Sequence, residues 1–164
     1  MRITLEHVTN AVVIASCLFV AGTVAYRQFG TRHEAKLYAR GSHIRDTGAL
    51  GLANSGRTLL LAASSACPHC VASVPFYRKL SVAAKRGGTR VVAVSLEMPD
   101  TNRAFLEGNG VHIDAVVPVA GSGVEVPLTP MLILVHKDGS VIDSWAGELS
   151  AGQQSQVLDA AEQR

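Results

Sequence analysis

Charge is scarce in this chain. Only 17% of its 164 residues are charged, and the formal net charge is +2. No Lys/Arg-rich run with interleaved aromatics occurs, which argues against nucleic acid as a partner. Cysteine is scarcer still. Three residues are too few for a disulfide scaffold, and none follows Cys70 to complete a four-cysteine zinc site. Neither an internal repeat nor a low-complexity tract is found, which excludes a solenoid or array. Apolar material is what the chain does have. At 48% hydrophobic it can build a real core, and its length suits one domain plus a short extra segment.

Much of that apolar content lies in the first 26 residues. From Val8 to Tyr26 run 19 residues without a formal charge. As a helix they would extend roughly 28 Å, close to the hydrocarbon thickness of a bilayer. Tyr26 and Arg27 suit its interface. Residues 1–26 are therefore expected to form an N-terminal membrane anchor. The rival readings are a cleaved signal peptide, with Arg2 at its start and Thr23-Val24-Ala25 as cleavage site, and a buried core helix. Cys17 within the run reads as a small apolar residue. Arg27, Arg32, Lys36, Arg40 and Arg45 follow the span while Arg2 precedes it, a charge count that favours a cytoplasmic domain. Residues 27–56, glycine-rich and without sustained apolar period, read as tether and lead-in, and 57–164 as the folded domain.

Within that domain, Thr58 to Ala63 is a short apolar run fit for a buried strand. A helix is expected from about Pro68 to Ala84, kinked at Pro75 and stopped before Gly87-Gly88. Arg90 to Leu96 reads as a second strand, Pro99 to Glu107 as a helix, and Ala115 to Val119 as a short strand. Met131 to His136 and Val141 to Trp145 flank the turn Lys137-Asp138-Gly139-Ser140 as a hairpin. Ser150 with Gln153 three residues on marks the start of a last helix. The alternation predicts an α/β fold: a central mixed sheet, parallel in part, with helices on both faces.

Cys67-Pro68-His69-Cys70 is the one C-x-x-C, set between a strand and a helix. Disulfide exchange needs a thiolate, and a helix start stabilises one through unpaired N–H groups and the positive dipole end. Cys70 lies one turn later, in reach of Cys67. Pro68 at the first helical turn forfeits no hydrogen bond, and a protonated His69 would add positive charge beside the thiolate. Cys67 is thus expected to attack and Cys70 to resolve. The alternatives are half of a metal site and a pair of inert core cysteines. Haem attachment is excluded because residue 71 is Val.

The stretch TLLLAASSACPHCVASVPFYRKL resembles the active-site strand and helix of thioredoxin-like proteins, with Pro75 at the helix kink. The stretch PLTPMLILVHKDGSVIDSWAG resembles the second half of that fold, and most closely the membrane-anchored TlpA/ResA type. The resemblance covers about residues 57–164. It implies a thioredoxin-like fold and thiol–disulfide oxidoreductase activity without an organic cofactor, the redox unit being a Cys67–Cys70 disulfide. It implies partners that are protein thiols or disulfides, an upstream redox protein, and an extracytoplasmic domain, against the charge count. It makes Pro130 a cis-proline facing the disulfide and Thr129 its neighbour, where an extended substrate could pair as an added strand.

The sequence departs from the family in three places. Leu61 stands where thioredoxins commonly carry a buried carboxylate, Ser73 where many TlpA/ResA-like proteins have glutamate, and Ala66 in place of the usual Trp. Glu97, at the end of the second strand, is the candidate substitute proton acceptor. The Pro-His pair resembles that of DsbA, without DsbA's helical insertion. His7, His33, His43, His112 and His136 show no mutual ligand spacing, and Trp145 reads as packing. The non-enzymatic alternative is a metallochaperone, with Cys67, Cys70 and a histidine gripping copper(I).

Overall fold

The computed structural model describes Ile14, residues 16–20, 22–23, 38–46 and 48–163. The chain divides into two compact units, Met1–Glu34 and Ala35–Arg164. In the first, the described residues are helical, and Ile14, Leu18, Phe19 and Val20 are exposed. No helix among the described residues is long and apolar enough to cross a membrane. Val8 and Tyr26, the expected ends of the span, lie outside the described residues.

The second unit is built on a five-stranded sheet in the order β3-β2-β1-β4-β5. Its strands are β1 (Arg57–Ala63), β2 (Arg90–Ser95), β3 (Ala115–Pro118), β4 (Met131–His136) and β5 (Val141–Ala146). Its helices are α1 (Pro68–Ala72), α2 (Val74–Gly87), α3 (Pro99–Gly108) and α4 (Ala151–Glu162). β1 is central, parallel to β2 and antiparallel to β4, with Leu60 level with both Val92 and Ile133. β2 and β3 are parallel, and β4 and β5 form the expected hairpin. At its turn Gly139 has φ +85°, and a Cβ there would lie 2.6 Å from the Ile44 carbonyl oxygen, so only glycine fits.

β1 is buried on both faces and alternates between two cores. Leu59, Leu61 and Ala63 join Phe76, Tyr77 and Leu80 of α2, Leu106 of α3, and Val157 and Ala161 of α4. Leu60 and Ala62 join Ile44, Leu50, Leu52 and Val124. Helices were expected on both faces; instead the buried residues of α2, α3 and α4 share one. The reason is topological. β1 to β2 and β2 to β3 step in the same direction across the sheet, and two right-handed crossovers stepping the same way lay their helices on the same side.

The other face is covered by residues expected to be tether, which corrects the boundary at Arg57. Leu50 and Leu52 are 0% and 1% exposed. Asp46 holds this segment in a loop, its carboxylate accepting from the N–H groups of Gly48, Leu50 and Leu52. Residues 40–44 run along the outer edge of β5. The Gly41 N–H donates to the Val141 carbonyl, and the Val141 N–H to that of Ser42, each at 2.8 Å. Arg40 reaches Asp143 at 2.5 Å. A run of glycines without period hid these contacts, because the anchors are isolated residues rather than a repeating face.

The single kinked helix expected over 68–84 is two helices parted at Ser73. Pro75 has no N–H to return to Val71, and the N–H groups of Phe76 and Tyr77 both turn to the Ser73 carbonyl. At the start of α4, the Gln153 side-chain oxygen accepts from the Ser150 N–H and hydroxyl, each at 2.7 Å.

Candidate active site

β1 ends at Ala63 and delivers the chain to a short loop whose shape is set from β2's side. Glu97 accepts hydrogen bonds from the Ser65 N–H at 2.9 Å and the Ser65 hydroxyl at 2.7 Å. Fully buried Asn102 ties the two elements, donating to Glu97 at 3.1 Å and to the Ala63 carbonyl at 2.7 Å. Burial pushes the Glu97 carboxyl up, but these donors outweigh it and hold the group below the usual carboxylate range. The candidate proton acceptor is therefore engaged in fastening the loop that carries Cys67.

The loop closes with the Cys67 N–H donating to the Ser64 carbonyl, and α1 begins at Pro68. Cys67 caps that helix with its sulfur, which accepts from the Cys70 N–H at 3.4 Å. Both cysteines are free thiols, Cys67 half-buried and Cys70 fully buried. Their acidities are driven apart. Burial raises the Cys67 thiol, yet hydrogen bonding from the side chains of Thr129 and Cys70 and the backbone of Cys70 and His69 overrides it, bringing the pKa to about 7. Burial pushes the Cys70 thiol up to about 11, reinforced by the hydrogen it shares with Cys67. One sulfur is thus poised as nucleophile while the other stays protonated.

Opposite stands the loop before β4. The Thr129–Pro130 peptide bond is cis, Pro130 is buried, and the Cys67 thiol donates to the Thr129 carbonyl at 3.6 Å. The Pro130 carbonyl is held in turn by the Gly147 N–H at 2.8 Å. His69 is exposed beside the pair, its Nδ1 3.0 Å from a carboxylate oxygen of Glu148. Leu61 lies in the core at 1% exposure, and the Ser73 hydroxyl donates back to the His69 carbonyl at 2.7 Å. Neither supplies a carboxylate.

The structure thus brings Cys67, Pro68, His69, Cys70, Thr129 and Pro130 together and sets Glu97 beneath the loop. Sequence reasoning missed Glu148, Asn102 and Tyr77. Tyr77 is 1% exposed, and its hydroxyl lies against the side chains of Ser73 and Cys70. Burial, then the nearby Cys70, raise its pKa well above the usual tyrosine value. A signal was present, since Cys70, Ser73 and Tyr77 follow at helical spacing. Trp145 is buried, as expected of packing, and with Ser73, Tyr77 and Pro130 lines a small crevice. Among the described residues no group of three or more His, Cys, Asp or Glu is placed to hold a metal ion.

No protein-family model matches the chain, and no curated protein sequence matches it. Solved structures do. A thiol:disulfide interchange protein from Bacteroides sp. is similar at 18% identity and TM-score 0.57, over 74% of this chain and 90% of that one. A thiol-disulfide isomerase from Corynebacterium glutamicum is similar at 15% identity and TM-score 0.53, over 82% and 99%. StoA from Bacillus subtilis is similar at 19% identity and TM-score 0.50, over 63% and 84%. The shared architecture is the thioredoxin-like fold.

Proposed function

We propose that this chain of thioredoxin-like fold is a thiol–disulfide oxidoreductase acting on protein thiols and disulfides. The observation that carries the reading is the split between two thiols one helical turn apart, one near pKa 7 and half-buried, the other near 11 and buried. That is the asymmetry a two-step exchange uses. The Cys67 thiolate attacks a partner disulfide; a mixed disulfide forms and one partner sulfur leaves as thiolate. Cys70 then loses its proton and attacks the Cys67 sulfur, releasing the second partner sulfur. The partner gains two electrons and the pair becomes a disulfide, which an upstream thiol protein reduces again. The reverse sequence oxidises a dithiol.

Thr129 and Pro130 are the substrate-binding side of this reading. The Thr129 carbonyl is occupied by the Cys67 S–H only while that thiol is protonated. Once the sulfur is ionised or in a mixed disulfide, the carbonyl is free to accept an N–H from an extended partner segment. No organic cofactor enters the scheme.

The same proposal takes residues 8–26 as a membrane anchor and the domain as extracytoplasmic. The exposed side chains of Ile14, Leu18, Phe19 and Val20 support an apolar environment for that segment. Labelling of Cys67 by a membrane-impermeant maleimide in intact cells tests the side, and labelling only after lysis would reject it. For the activity, the full-length protein is assayed for insulin reduction alongside metal content after purification. Turnover in metal-free protein is expected; bound copper with no turnover would favour the copper-carrier alternative.

A further inference from the structure

Resolution of a mixed disulfide requires the buried Cys70 thiol to lose a proton, so the following rests on the exchange reading. Leu61 and Ser73 supply no carboxylate, and Glu97 is fastened to Ser65 and Asn102. The titratable groups set against Cys70 are Cys67, across α1, and Tyr77, from α2. The loop after β1 and the 129–130 turn bring the Ser64 backbone and the Thr129 side chain. Leu132 of β4 and Val157 of α4, in the same core cluster, are apolar.

Tyr77 lies seven residues beyond Cys70 and four beyond Ser73. Its ring belongs to the same core as Cys70, which phenylalanine would serve as well, yet it carries a fully buried hydroxyl set against the side chains of Ser73 and Cys70. Burying that hydroxyl carries a desolvation cost that phenylalanine would avoid.

We propose that Tyr77 is a positioning residue for the resolving step: its buried hydroxyl, set against the Cys70 side chain, directs hydrogen bonding onto the Cys70 sulfur as the proton leaves. The proton passes from Cys70 to the departing partner thiolate or to solvent. The Cys70 lone pair forms the new bond to Cys67, and the partner sulfur departs with the electrons of the old one. Tyr77 keeps its own proton throughout and acts as donor, not base.

The test uses the reduced full-length protein in a Cys17→Ser background, mixed with the aromatic disulfide 5,5′-dithiobis(2-nitrobenzoate). Attack by Cys67 releases one coloured thiolate, and attack by Cys70 on the mixed disulfide releases a second. Both phases are followed against pH for the parent and for Tyr77→Phe. In Tyr77→Phe the second phase is expected to slow about tenfold, the size of effect that loss of a hydrogen bond to a charged group produces. Its pH profile should move upward, with the first phase and Tm unchanged. A second phase with the parent's rate and pH profile overturns the proposal, and so does equal slowing of both phases with a lowered Tm. Absence of any second phase in the parent instead overturns the exchange reading itself.

Discussion

The backbone N–H of Cys70 points at the sulfur of Cys67 from 3.4 Å, so Cys70 stabilises a thiolate on Cys67 through its main chain. The first turn of α1 thereby does the work that an added positive side chain would otherwise do.

The alkylation rate of Cys67 should follow a single titration with a midpoint near pH 7, while Cys70 stays unreactive until the pH nears 11. Peptide-level mass spectrometry after timed iodoacetamide treatment separates the two. Equal midpoints would contradict the asymmetry on which the proposed function stands.

Cys67→Ser should abolish exchange, and Cys70→Ser should accumulate mixed disulfides with partners, since the resolving sulfur is gone. Non-reducing gels of the two variants check this. Full insulin-reducing activity in Cys67→Ser would refute the assignment of roles.

The stability of the reduced form should depend on pH in two opposite steps. Cys67 has its folded pKa depressed from 9.0 to about 7, so its contribution is present above 9, declines as pH falls, and is lost below 7. Cys70 has its folded pKa raised from 9.0 to about 11, so its contribution is present below 9 and is lost as pH rises through 11. Tm of the reduced protein should therefore rise between pH 6 and 8.5 relative to Cys67→Ser, and both proteins, which share Cys70, should lose stability above pH 9. A flat difference curve between the two proteins counts against the depressed thiol.

Glu97→Ala should destabilise the fold by about 1–3 kcal/mol, because it leaves the Ser65 N–H and the Asn102 amide without their acceptor. It should also slow the first exchange step, since the loop ahead of Cys67 loses its fastening. Urea unfolding and the first-phase rate provide the two readings. Its carboxyl pKa is depressed, so the contribution persists above the ordinary value of 4.5 and fades as pH falls through the lowered one.

The reduction potential should lie above that of thioredoxin, about −270 mV, because hydrogen bonds to the Cys67 thiolate exist only in the reduced form. Equilibration with glutathione measures it, and a value at or below that figure would reverse the expectation.

The parts legible in the sequence are those whose signal is local. β1, β2 and β4 read as apolar runs, Gly139 marked its turn, and the strand–CxxC–helix order located Cys67 and Cys70. What escaped depends on tertiary placement. Ile44, Leu50 and Leu52 are single anchors among glycines and show no period. Glu97 was visible as a carboxylate at a strand end, but its engagement by Ser65 and Asn102 arises only when α3 folds back onto β1. Glu148 meets His69 across 79 residues, a distance no spacing rule spans.

Residues 40–44 bear on how the domain can be cut. They occupy the outer rim of β5, and Leu50 and Leu52 seal the face beside it. A fragment begun at Arg57 would bare the Val141 N–H and carbonyl together with an apolar footprint. That combination invites neighbouring copies to stack edge to edge. The glycine-rich lead-in is thus expected to guard against self-association, and solubility of a fragment begun at Arg57 to fail well before the geometry around Cys67 does.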